Sequence, residues 1–201
     1  MYLSLNCGII TSGEFETFLT EPRGKKTKLK ERKMKDRKKL TLYTTQGALI
    51  AALYVVLTEI ATLANLSSGG IQFRISEALC ILPIFIPAAV PGLFVGCFIS
   101  NLLVPQVVIW DIIFGSMATL IGAIGARMLR NLPEKLKWCA TLPTVVANMI
   151  IVPLVLIFAY GETSSFLLLA IGVGIGEIVC AGIGGSGLYY ILKKYEKQWL
   201  K

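Results

Sequence analysis

The chain has 201 residues, 55% of them apolar, with a mean hydropathy of +0.70 and a net charge of +8. The apolar residues lie in blocks as long as membrane spans rather than in amphipathic stripes, so the sequence reads as an all-α polytopic membrane protein and not as a soluble domain. Histidine is absent, which excludes a His-based zinc site, a Ser-His-Asp triad and a Cys-His dyad; no Walker A lysine motif occurs, which excludes ATP hydrolysis by that route.

Residues 1–33 hold no apolar block of spanning length and no signal-peptide pattern. They are expected to be disordered or an over-extended start, with the six-helix domain occupying 34–201. Pro22 to Leu40 carries eleven Lys/Arg against Glu31 and Asp36. Beside a membrane span, such a run sets orientation and touches anionic lipid; it does not call for nucleic acid.

The first span is expected over 42–66. Gly47, Ala48, Ala51 and Ala52 permit close approach of another helix, either within the bundle or from a docked partner. Glu59 lies toward the far end of this span. Asn65 to Gly70 is a loop by composition. An apolar run then covers 75–104, interrupted by Pro83, Pro87, Pro91 and Gly92. A turn at Pro91–Gly92 would divide it into 75–90 and 92–104, helices of only ~24 and ~20 Å at 1.5 Å per residue, both short for a bilayer core. A fourth span is expected over 107–129, with Gly115, Ala118, Gly122 and Ala126 as a ladder of small residues. The fifth covers 139–160 and the sixth 166–192, with Glu177 in the middle of the sixth. Gly182 to Gly187 spells GxGxxG, but no strand precedes it, so helix packing is the simpler reading.

Charge decides the number of crossings. The basic flanks are the N-terminal run, the loop with Arg127, Arg130, Lys135 and Lys137, and the tail with Lys193, Lys194, Lys197 and Lys201. They share one side only if 75–104 crosses twice. Six transmembrane helices with both termini cytoplasmic follow from the positive-inside rule.

From Thr41 to Ala126 there are only four formal charges: Glu59, Arg74, Glu77 and Asp111. An ion in an apolar span is costly and marks a functional site by default. The topology puts Gln72, Phe73, Arg74, Ser76, Glu77, Asn101, Trp110 and Asp111 toward the outer side, with Asn148 and Glu177 nearer mid-bilayer. A pocket open outward and capped by the loop carrying Gln72 to Arg74 is expected. Its excess of carboxylates over Arg74 suits a cationic ligand or one rich in N–H donors, and Trp110 or Phe73 can stack on a flat ring. Blander readings stand beside these. Arg74 and Glu77 can form a helix-start ion pair, Asp111 can favour its own helix N-terminus, and Asn148 can bond a neighbouring helix. The cysteines read as small apolar fillers, and no metal or catalytic site is expected.

The run Gln72-Phe73-Arg74-Ile75-Ser76-Glu77-Ala78-Leu79, then Leu82-Pro83, then Pro87-Ala88-Ala89-Val90-Pro91-Gly92-Leu93 with Gly96 and Asn101, resembles the QueT family over about Lys38 to Lys194. These are substrate-binding (S) components of energy-coupling factor (ECF) transporters. The resemblance implies a multi-pass S-component bundle in the bacterial plasma membrane and a pocket near the outer face. It implies uptake of a queuosine precursor, a deazaguanine such as queuine or 7-aminomethyl-7-deazaguanine. It also implies partners, a transmembrane coupling protein and two ATPases that use the ATP, with no cofactor in this chain. S components commonly dock through an AxxxA motif in the first helix, which Ala48 and Ala52 fit. On such a ligand, Glu77 is expected at the base edge and Asp111 or Glu177 at the amine. The competing reading is a stand-alone secondary transporter driven by protons or sodium, with Glu59 or Glu177 as the coupling group.

Overall fold

The computed structural model describes residues 23–66, 72–104 and 108–199, with side chains from 30 to 195. The described residues contain helices and no strand. Two compact units are present, Met1–Leu42 and Tyr43–Lys201. In the first, the described residues are the exposed, basic beginning of helix α1 (Arg23–Leu63). The expectation of disorder over 1–33 lies largely outside the described residues; 23–33 are helical.

The second unit holds the bundle. After α1 come a 3-10 helix (Ile75–Ile84), α2 (Ala89–Leu103) and α3 (Ile109–Met128). Short 3-10 turns (Leu129–Asn131 and Glu134–Thr141) lead into α4 (Leu142–Tyr160). The last rod runs through α5 (Phe166–Glu177), a π-helical segment (Ile178–Gly184) and α6 (Gly185–Trp199). Among the described residues, four helices are long and apolar enough to cross a membrane: Lys30–Leu63, Ile109–Asn131, Glu134–Tyr160 and Phe166–Tyr195. The 3-10 helix and α2 are apolar but short.

The expected division of 75–104 at Pro91–Gly92 needs correction: the break falls at 85–88, ahead of Ala89. Pro91 sits in the first turn of α2, where the missing N–H had no intrahelical partner to lose. Ile86, by contrast, precedes Pro87, and a residue before proline is pushed out of the α region.

Local chemistry sets the other ends. Asn65 has a left-handed φ of 58°, and the Asn65 and Leu66 N–H groups donate to the Thr62 and Ala61 carbonyls. This is the Schellman pattern with asparagine in the glycine position. The Phe73 N–H then returns to the Leu66 carbonyl at 2.9 Å, closing the base of the loop. Ser165 caps α5 by accepting from the Leu168 N–H. Arg127 at the end of α3 donates to the Pro83 and Ile84 carbonyls at 2.9 and 3.3 Å, satisfying acceptors that the last turn of the 3-10 helix leaves open.

The small residues of the first span sort onto two faces. Gly47 and Ala51 face inward, and a Cβ on Gly92 or Gly96 of α2 would stand only 2.6 Å from the Gly47 carbonyl oxygen or 2.9 Å from that of Ala51. Ala48 and Ala52 lie on the exposed side with Leu49, Leu53 and Val56. Gly47 and Ala51 thus serve packing within the bundle. The GxGxxG run serves packing, since Gly184 and Gly185 lie against Ala78 of the 3-10 helix. The core joins Ile50 and Tyr54 of α1 to Leu79, Cys80, Leu82, Leu93 and Cys97. A Gly96→Leu substitution forces α1 and α2 apart, and overpacking of this kind costs about 1–3 kcal/mol. Thermal unfolding in detergent should show a clear loss of stability; an unchanged melting temperature would refute the close contact.

Candidate substrate-binding site

The polar interior is organised on the 3-10 helix. Glu77, fully buried, accepts from the Tyr54 hydroxyl of α1 at 2.5 Å and from the Cys80 thiol at 3.0 Å. Thr119 of α3 reaches the same carboxylate at 3.4 Å and the Cys97 sulfur at 3.3 Å. One residue earlier, Ser76 accepts from the Thr58 hydroxyl of α1 at 2.8 Å. Tyr54 and Thr58 stand one turn apart, so one stripe of α1 serves both bonds.

Arg74 makes no ion pair with Glu77. Its guanidinium instead donates to Asn101 Oδ1 at 3.1 Å and approaches Cys97 Sγ at 3.5 Å. Asn101, through Nδ2, donates to the Asp111 backbone carbonyl at 3.3 Å, tying the end of α2 to the start of α3. The ion pair among the described residues is Lys193–Glu134 at 2.6 Å, on the surface. It contributes little, as exposed pairs do.

A second cluster lies between α4 and α5. Asn148 donates through Nδ2 to Glu177 Oε1 at 2.9 Å, and both side chains are buried. Asn148 Oδ1 and Glu177 Oε2 are buried without a hydrogen-bond partner among the described residues, as are Thr144 Oγ1 and Glu59 Oε1. Glu177 lies within electrostatic reach of both Glu77 and Arg74. The loop segment reaches this cluster: a Cβ on Gly176 would collide with the Gln72 carbonyl, so the backbone at Gln72 rests directly on α5 beside Glu177.

The structure thus brings Arg74, Glu77 and Asn101 together and joins Asn148 to Glu177, with half-buried Gln72 and Phe73 close by in sequence. Asp111 stands at the margin, half-buried in the first turn of α3, where Oδ2 accepts from the Tyr160 hydroxyl at 3.1 Å. Trp110 stands apart. It is 53% exposed, stacks on Phe114 at 5.9 Å, and lines an apolar groove of about 520 Å³ with Phe114, Met117, Ile121 and Leu154. Sequence reasoning missed Tyr54, Thr58, Thr119 and the partner roles of Cys80 and Cys97. The signal for the first two was the spacing of hydroxyl groups along an otherwise apolar span.

Chemically, the arrangement is a set of anionic acceptors and a guanidinium enclosed by apolar helices, a combination suited to hydrogen-bonding a polar solute. The family model described as QueT transporter matches residues 44–194, and the chain belongs to this family. It is a multi-pass protein of the bacterial plasma membrane. A curated relative, the queuosine precursor transporter QueT of Lactococcus lactis subsp. cremoris (strain MG1363), is 37% identical over 92 residues. That alignment covers 45% of this chain and 53% of the relative, so the chain spans about half of the relative's length. No solved structure matches.

Removing the hydroxyl in Tyr54→Phe leaves the buried Glu77 without its shortest donor. Hydrogen bonds to charged groups are worth about 1.5–3 kcal/mol, so chemical or thermal unfolding should show a loss of that order. Wild-type stability in the variant would mean that Glu77 does not depend on Tyr54.

Proposed function

We propose that this protein is the membrane-embedded binding component for uptake of a queuosine precursor, a deazaguanine base such as queuine or 7-aminomethyl-7-deazaguanine. The observation that carries the reading is the grouping of half-buried Arg74 with buried Glu77 and Asn101 inside an apolar bundle of a QueT-family chain. A guanine-like base presents ring N–H and amino donors on one edge and a carbonyl beside them. Glu77 offers the acceptors and Arg74 the donor that such an edge requires. In this structure Tyr54, Thr119 and Cys80 satisfy Glu77, and the base donors take over part of that role. Phe73 supplies an aromatic face.

The full architecture in this proposal has six membrane passages and both termini in the cytoplasm, with the 3-10 helix and α2 as the two short passages. Energy comes from a separate ECF module, a transmembrane coupling protein with two ATPases, so this chain performs no catalysis and holds no cofactor. The exposed Ala48–Ala52 face of α1 supports docking to that module, because small residues there leave room for a partner helix. A second reading, a stand-alone transporter coupled to protons or sodium, draws support from the unpartnered buried oxygens of Glu59 and Glu177.

The deciding experiment is a titration of the purified protein in detergent. Saturable binding of a deazaguanine, weakened tenfold or more in Glu77→Gln, is expected from loss of a charged acceptor. Failure of well-folded protein to bind any deazaguanine would overturn the substrate. Uptake in cells separates the energising modes. Ala48→Leu should leave binding intact and abolish uptake, and uptake without the ATPase module would instead establish the secondary transporter.

A further inference from the structure

Two carboxylates face the interior, and the protein treats them differently. Both oxygens of Glu77 have protein donors; Glu177 has one, from Asn148, and its Oε2 has none. With Glu177 ionised, the Asn148 amide turns its nitrogen toward Glu177 Oε1, because the opposite orientation would set two acceptors face to face. Asn148 Oδ1 is therefore held as a second open acceptor, also buried and unpartnered.

Charge points the same way. Glu77 and Glu177 lie within reach of a single guanidinium, Arg74, which leaves one negative charge without a counterpart among these three groups. A buried unpaired carboxylate either takes up a proton or finds a cation. Asp111 has no such demand, since it is half-exposed and accepts from Tyr160. The Gln72 backbone seats on Gly176, one residue from Glu177, and both Glu177 and Asn148 are buried.

We infer that Asn148 and Glu177 form an ammonium subsite, in which Asn148 Oδ1 and Glu177 Oε2 receive the protonated amine of the transported molecule. The inference rests on the queuosine-precursor reading and makes the pair, rather than Asp111, the origin of selectivity for amine-bearing bases. An ammonium has three donors, and the pair accepts two of them.

The test uses full-length protein in detergent and two probes that differ only in the side arm, 7-deazaguanine and 7-aminomethyl-7-deazaguanine. Wild-type protein should favour the aminomethyl probe by about tenfold or more, as expected for a buried charged hydrogen bond. Glu177→Gln and Asn148→Leu should each weaken the aminomethyl probe far more than 7-deazaguanine and so erase most of that preference, and Asp111→Asn should keep it. Two variants on different helices guard against a fold defect in one. Equal weakening of both probes would place the ring, not the amine, at the pair and overturn the inference. So would a preference that survives in both variants or that collapses in Asp111→Asn. Repeating the titration with sodium replaced by N-methylglucamine distinguishes a free alkali ion. Binding of 7-deazaguanine that needs sodium in wild type but not in Glu177→Gln would assign the pair to that ion and overturn the inference. Folded wild-type protein that binds neither probe would overturn the queuosine-precursor reading itself, and the inference with it. Wild-type binding of both probes without preference would overturn the inference alone.

Discussion

The carboxylate of Glu77 sits where no water reaches it, and the bundle is assembled around the donors it requires. An ionisable group in such surroundings is tolerated only with hydrogen-bond partners on every side. Those partners come from α1, α3 and the 3-10 helix itself, so one carboxylate fixes the relation of three elements. Arg74 performs the same service one layer outward, joining the loop segment to the end of α2, and Asn101 passes the connection to the start of α3.

Close approach of backbones makes this possible. Between helices in lipid the hydrophobic effect offers no drive, and contact relies on dispersion and on side chains small enough to stay out of the way. Gly92 and Gly96 let α2 lie on α1 so tightly that Tyr54 is fully buried and can reach Glu77. Gly176 does the same for the loop backbone at Gln72. Buried polar groups and glycines are thus parts of one arrangement.

Much of this was legible in the sequence. Arg74 and Glu77 stand out because charges are so scarce between Thr41 and Ala126. Asn148 and Glu177 stand out as polar residues deep in apolar spans, and they are bonded to each other. The prolines announced a break within 75–104 but not its place, because Pro91 is compatible with a first helical turn whereas Pro87 restricts the residue before it. Tyr54 and Thr119 were hidden, since a tyrosine or threonine in a membrane helix is ordinary until its partner is known. Trp110 drew notice as an aromatic beside an acid, and the rotation of α3 places it on the exposed side, stacked on Phe114. The 3-10 geometry of Ile75–Ile84 leaves no periodic trace in ten nearly continuous apolar residues.

The π-helical turn after Glu177 has a consequence for how the last rod evolves and tolerates change. Such a segment amounts to a residue inserted into an α-helix, and each residue is worth ~100° of rotation at 3.6 residues per turn. It sets the phase of α6 independently of α5. The stretch with Glu177 can keep its aim while the stretch with Tyr189, stacked on Phe85, keeps its own. Shortening 178–184 by one residue would put the two halves out of phase, turning either the acid or the tyrosine toward lipid. Length in that segment is consequently constrained more tightly than residue identity.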